Sequence, residues 1–309
     1  MPGEWTAGGK AGRRMKPKDI KRLLARYRVT SGDDFKLKHF DPQDGGGTSV
    51  SKEEAASLLA DGVSRLAALQ ARLYAQDRWG MLAIFQAMDA AGKDGTISHV
   101  MTGVNPQGVE VTSFKQPGPE ELGHDFLWRT HRRIPARGRI GIHNRSHYEE
   151  VLVCRVHPEL LDRQHLPDAV RDGKFWKNRL RDIAAFEAYL GRQGLVQTKF
   201  FLNLSKDEQK RRFLTRIDAP EKNWKFSSAD LAEREYWEQY QNAYEAAIAA
   251  TAAPHAPWYV VPADHKWFTH LIVVEAMVDA LEHLNLKLPS IPPDEYARLQ
   301  AARVKLEAE

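Results

Sequence analysis

Met81-Leu-Ala-Ile-Phe-Gln-Ala-Met-Asp-Ala-Ala-Gly-Lys-Asp-Gly-Thr-Ile97 is a short apolar run of buried-strand length, then a turn of small residues, then a helix opening near Lys93. That order suits anion binding. Small side chains let backbone N–H groups come close to a phosphate, and the helix start adds a positive dipole end. Ala90, Ala91, Gly92 and Gly95 supply the small residues, Lys93 the point charge. Against the phosphate-loop pattern G-x-x-x-x-G-K-[ST], Ala87 takes the place of the first glycine and Asp94 that of the hydroxyl residue. The plain alternative is a Gly-rich turn with a solvated lysine. Asp89 is the unusual member, because a carboxylate beside phosphates repels them unless a cation lies between. It therefore implies Mg²⁺, or Mn²⁺ in its place, bridging carboxylate and phosphoryl oxygens. Its other reading is a helix cap.

Working outward, similar apolar runs recur at Val109–Phe114, Arg139–His143, Thr198–Leu202 and Trp258–Pro262. Helical spacing fills the intervals: Lys93–Val104, Pro119–Ile134, Ser146–Val156, Lys174–Gly191, Ser205–Ile217 and Ala229–Ala250. Lys266–Leu284 follows the last strand. Alternating strands and helices predict right-handed crossovers and a parallel sheet with helices on both faces, an α/β fold of three αβα layers. Ahead of the first strand, Leu58, Leu59, Val63, Leu66, Leu69 and Leu73 predict an amphipathic helix, with Ser51 and Glu54 as a capping box. Residues 1–50 are expected to be a basic, partly flexible leader, 51–290 a single α/β domain, and 291–309 a helical tail.

The third strand runs into His143-Asn-Arg-Ser-His-Tyr-Glu-Glu150. Residues at the carboxyl ends of parallel strands line the ligand crevice, so Asn144 and Arg145 are expected to face the phosphate loop. A guanidinium there suits a transferring phosphoryl group. Ser146 with Glu149 reads as a capping box, which makes Ser146 structural, and His147 reads as packing rather than as a phosphohistidine. After the fourth strand, Lys206, Lys210, Arg211, Arg212 and Arg216 outnumber Asp207 and Glu208, and Lys222 and Lys225 follow. A solvated helix face or a lid over phosphates both explain them.

Composition narrows the class. The 309 residues are 42% hydrophobic and 28% charged with net charge +4, which fits a globular enzyme and does not demand nucleic acid. Nucleic acid is the weaker polyanion reading, because Trp237, Tyr240 and Tyr244 recur at the spacing of a buried helix face, not a stacking platform. No stretch approaches the ~18 consecutive apolar residues of a membrane helix, and Met1–Ile20 lacks the apolar core of a secretory signal. With one cysteine, Cys154, and no basis for a structural zinc site, the expected compartment is the cytoplasm.

Ala87–Thr96 (A-M-D-A-A-G-K-D-G-T), Asn144–Glu149 (N-R-S-H-Y-E) and Pro220–Ser227 (P-E-K-N-W-K-F-S), with Trp237 and Tyr240 following, resemble the polyphosphate kinase 2 family in motif, order and spacing, over about residues 50–285. The resemblance implies a P-loop kinase-like fold with a helical lid at about 205–230. It also implies Mg²⁺-dependent, reversible transfer of the terminal phosphoryl group of polyphosphate to AMP or ADP (or GMP or GDP), and a homodimer or homotetramer. By the same likeness Asp89, Lys93, Asn144 and Arg145 are catalytic, Asn144 and Glu149 bind nucleotide, and Asp89 holds the metal. Residues 90–95 bind phosphate, while Lys210, Arg211, Arg212 and Lys222 grip polyphosphate from the lid. Many members carry Asp where this chain has Asn144 and Trp where it has His147. The form here looks like the subgroup acting on both mono- and diphosphates. An amide cannot serve as a charged ligand, so the metal would rest largely on Asp89. The phosphate loop alone also fits an ATP-dependent small-molecule kinase or a noncatalytic nucleotide- or polyanion-binding regulator.

Overall fold

The strand at Gly80–Ala87 is buried at every position. Its two faces feed two cores, hence a continuously apolar sequence instead of an alternating one. Met81, Ala83 and Phe85 pack with Leu66, Leu73, Ile272 and Met277, whereas Leu82 and Ile84 pack with Ile183, Phe201, Ile248 and Trp258. The structure is a computed structural model describing residues 17–46, 52–221 and 223–309. The Ser51 cap, the Lys222 position and the first basic residues of the leader lie outside them.

In chain order the elements are α1 (Pro17–Ala25), β1 (Arg28–Val29), α2 (Lys52–Gln76), β2 (Gly80–Ala87), α3 (Lys93–Val100) and β3 (Val109–Ser113). Then come α4 (Pro119–Leu122), α5 (Trp128–His131), β4 (Ile140–Asn144), α6 (Val153–Val156), α7 (Phe175–Arg192) and β5 (Leu195–Asn203). The last are α8 (Lys206–Asp218), α9 (Ser228–Glu233), α10 (Trp237–Thr251), β6 (Trp258–Pro262), α11 (Lys266–Glu282) and α12 (Pro293–Leu306). Among the described residues the strands form one sheet in the order β1-β6-β5-β2-β4-β3. Strands β2 to β6 are parallel and only β1 runs antiparallel. Helices α1, α2, α3 and α11 cover one face, α7 and α10 the other. This is the three-layer α/β arrangement. No described helix is long and apolar enough to cross a membrane.

The chain leaves β2 for β3 and β4 on one side and returns on the other as β5. The order therefore reverses beside β2, which opens a crevice at its carboxyl end.

Two expected helices need correction, and the leader holds two elements that its sequence did not announce. Strand β1 and helix α1 fall in the leader expected to be partly flexible. Leu23, Leu24, Tyr27 and Val29 are buried there, too few and too scattered to show a period. The helix expected over Pro119–Ile134 is broken into α4 and α5, because Asp125 Oδ1 accepts the Leu127 N–H at 2.9 Å in an Asx turn. Ala229–Ala250 is likewise divided, by a 3₁₀ turn at Arg234–Tyr236.

One buried polar cluster ties the layers together. Lys199 on β5 and Glu187 on α7 form an ion pair sealed from solvent. Tyr148 Oη lies 2.7 Å from Glu187 Oε1, and Lys199 Nζ donates to Thr251 O at 2.8 Å. Burial pushes the Lys199 ammonium below its ordinary pKa. Burial raises the Glu187 carboxyl, but Lys199 and His147 together outweigh it and hold the group low. Glu187→Ala strands the lysine charge and should cost about 3–5 kcal/mol in urea unfolding; a loss below about 1 kcal/mol would refute the pairing as a stability element.

Candidate active site

Strand β2 ends at Ala87 and α3 begins at Lys93, so five residues make the turn. Ala90 and Gly92 both adopt left-handed backbone, at φ 62° and 99°. Gly92 does so freely. Ala90 carries roughly 1–2 kcal/mol of steric cost that its surroundings must hold in place. Lys93 Nζ donates back to Ala87 O at 2.9 Å, laying the ammonium over the loop. Burial and then the nearby Arg145 charge lower its pKa, opposed by Asp89, Glu149 and Asp94.

The parallel register sets Asn144 on β4 opposite Phe85 on β2, bringing the two loops side by side. Two cross-links join them. Arg145 Nη2 donates to Asp89 Oδ1 at 3.1 Å, and Asn144 Nδ2 to Asp94 Oδ1 at 2.5 Å. Arg145 also reaches Glu149 Oε2 at 3.3 Å from a left-handed backbone, φ 63°. Its pKa is raised by Glu149, against burial, with Asp89 adding to the rise. The two sequence motifs therefore meet as one constellation. Asp89 caps nothing: the N-cap of α3 is Gly92, which makes no side-chain capping bond.

Beside this constellation lies a narrow, partly open cleft. Asp89, Arg145 and Glu149 form one end, with Leu152, Val153, Gln209, Glu233, Tyr240 and Tyr244 around them. Tyr240 Oη donates to Glu233 Oε2 at 2.7 Å, and His157 Nε2 lies 3.1 Å from the same carboxylate. Sequence inspection missed Glu233, Tyr240 and Tyr244 as lining residues. The two tyrosines sit on the buried face that their spacing announced, and that face also borders the cleft. His147 is buried, packed on Tyr148 and Phe186, which suits its structural assignment.

Ser146 caps as expected, accepting the Tyr148 N–H at 3.1 Å, but the segment it opens is a 3₁₀ turn at His147–Val151. Glu149 turns to Arg145, so the box is half made. Ser146→Ala should cost about 1 kcal/mol with turnover little changed. Thermal unfolding beside initial rates checks this, and a fully stable yet inactive variant would contradict it.

The basic helix α8 departs most from expectation. Ser205 accepts the Glu208 N–H at 3.1 Å and donates to Asp264 Oδ2 at 2.7 Å. Glu208 binds both Arg211 and Arg212 instead of the cap. Lys210 and Arg211 are exposed, the Arg211 side chain at 68%. Arg212, expected to grip polyphosphate, is only 7% exposed. Its Nη1 donates to Ala90 O and Ala91 O at 3.1 and 2.9 Å, its Nη2 to Ala263 O and Asp264 O at 2.6 and 3.2 Å. With Nε on Glu208 at 2.7 Å, the guanidinium has no donor left for a donor chain. Among the described residues no group of three or more His, Cys, Asp or Glu side chains is placed to hold a metal by itself.

Residues 49–289 match the family described as Polyphosphate kinase 2. The ADP-polyphosphate phosphotransferase of Rhodopseudomonas palustris is 52% identical over 257 residues, 83% of this chain and 89% of its own length. The AMP/ADP-polyphosphate phosphotransferase of Meiothermus ruber is 45% identical over 86% of this chain and 96% of its own. Among solved structures, polyphosphate kinase 2 from Arthrobacter aurescens superimposes with a TM-score of 0.82 at 41% identity, covering 90% of this chain and 95% of its own. With the twice cross-linked loops at the switch point of the sheet, these matches establish that the chain belongs to the polyphosphate kinase 2 family.

Proposed function

We propose that this chain is a polyphosphate:nucleotide phosphotransferase that moves the terminal phosphoryl group of polyphosphate to AMP or ADP, or to GMP or GDP. The observation that carries the proposal is the meeting of the phosphate loop with Arg145 beside a cleft. A terminal phosphate oxygen of the acceptor attacks the end phosphorus of the chain. One P–O bond forms, and the phosphoanhydride P–O bond behind it breaks, leaving polyphosphate shorter by one unit. The reverse step balances equally.

Lys93 and the amides of Ala90–Gly95 hold the phosphates. Arg145 spreads the charge that accumulates in a loose transition state. Glu149 positions Arg145, and with Asn144 it borders the nucleotide. Exposed Lys210 and Arg211 contact the polyphosphate, with Lys222 assigned there by family likeness. Magnesium takes one or two carboxylates and completes its octahedron with water and substrate oxygens, so a single Asp89, 33% exposed at the loop, fits that donor set. Bound there, Mg²⁺, or Mn²⁺, would neutralise phosphate charge. The family resemblance supports a homodimer or homotetramer, and the single cysteine, Cys154, supports a cytoplasmic protein. Helix α12, exposed throughout with Tyr296, Leu299, Val304 and Leu306 among its residues, offers surface for assembly.

Incubation of AMP or ADP with polyphosphate and Mg²⁺, followed by chromatography of the nucleotides, tests the proposal. ADP and ATP should appear and EDTA should abolish them. No product above a control without enzyme overturns it, and turnover with ATP but not polyphosphate as donor would make the protein an ordinary kinase.

A further inference from the structure

Helix α8 touches the phosphate loop at three consecutive carbonyl oxygens. Gln209 Nε2 donates to Asp89 O at 2.9 Å, and Arg212, one turn along, donates to Ala90 O and Ala91 O. Lys93 takes Ala87 O. A peptide whose carbonyl is held on one side turns its N–H toward the other, and a run of such peptides around left-handed residues makes a concave nest for anions. Ala90, left-handed and not glycine, cannot keep that shape cheaply by itself.

We infer that Gln209 and Arg212 are positioning residues that mould the phosphate loop from behind, and that α8 is bound to the loop instead of swinging over it. The inference rests on the reading of this loop as the phosphate site. Three observations fit one cause. Arg212 is buried where a phosphate ligand needs access. All its N–H groups are engaged within the protein, Nε on Glu208 at 2.7 Å and both Nη on backbone carbonyls. Its Nη2 donates to the backbone after β6, so one guanidinium joins the ends of β2 and β6 through α8. Burial raises the Glu208 carboxyl, but hydrogen bonds from Arg211 and Arg212 outweigh it and hold the group ionised below the usual range. Arg211, on the solvent side, is left as the phosphate-facing member of the pair.

The test compares Arg212→Ala, Arg212→Lys and Gln209→Ala with the wild-type enzyme by hydrogen exchange and by kinetics at several salt concentrations. Amides of residues 88–93 should exchange at least about tenfold faster in Arg212→Ala, with those of β4 unchanged. Turnover should fall on the order of 10²-fold, as expected when a reacting group is misplaced. The salt dependence of the polyphosphate KM should keep its wild-type slope, because no phosphate contact was lost. Methylguanidinium should restore turnover in Arg212→Ala without changing that slope. Should the alanine variant fail to fold, Arg212→Lys gives the same readings, since one ammonium cannot hold four carbonyls. Loop exchange at the wild-type rate, or a salt slope shallower by about one, overturns the inference. If the wild-type protein makes no nucleotide product, the proposed function fails, and loop exchange alone decides the role of Arg212.

Discussion

Asp89→Asn should lower turnover with polyphosphate and AMP by on the order of 10²–10³-fold while unfolding like the wild type. The substitution preserves shape and an acceptor for Arg145, so the local bond at 3.1 Å survives in weaker, neutral form. What it removes is charge. Among the described residues no ready-made metal cluster stands in reserve. The loss should shrink only partly as Mg²⁺ is raised, because excess cation restores occupancy without restoring a charged ligand. Initial rates across a Mg²⁺ series beside thermal unfolding measure both halves. Activity above about a tenth of wild type would mean that Asp89 serves Arg145 and not a metal.

Lys93→Ala should cost a similar 10²–10³-fold in kcat/KM, for a different reason. The ammonium already sits in the loop on Ala87 O, so binding phosphate exchanges a neutral acceptor for a charged one with little movement. Its lowered pKa gives a second handle. A depressed lysine loses its proton earlier as pH rises, so the alkaline limb of kcat/KM should begin below the usual lysine range near 10.4. Lys93→Arg should push that limb upward even if it turns over slowly. A limb unmoved by Lys93→Arg would assign it to another group.

Much of this molecule was readable because its chemistry is local. The run Met81–Phe85 and the turn Met88–Gly92 carry their own signals, burial on both faces and small residues before a helix. Asn144 and Arg145 could be placed by the rule that strand ends line the crevice. Other features depended on pairings a linear reading cannot see. A two-residue strand has no period, so β1 was invisible. Arg212 is as cationic as Arg211, and only the packing of α8 on the loop tells the buried one from the exposed one. Glu233 carries no motif, and it reaches the cleft with Tyr240 because α9 and α10 fold back beside α6.

The closing of the sheet edge sets an order of events for the newborn chain. Arg28 pairs with Tyr259 and Val29 with Trp258, so β1 leaves the ribosome long before its neighbour β6 exists. The centre comes together sooner, with β2 meeting β4 and then β5 as each emerges. Until β6 is made, β1 must wait without its partner strand, a long-range closure that contributes to slow folding and to exposure while it is pending. Completion of the edge by β1 thus makes the arrival of β6 the moment at which that strand is secured.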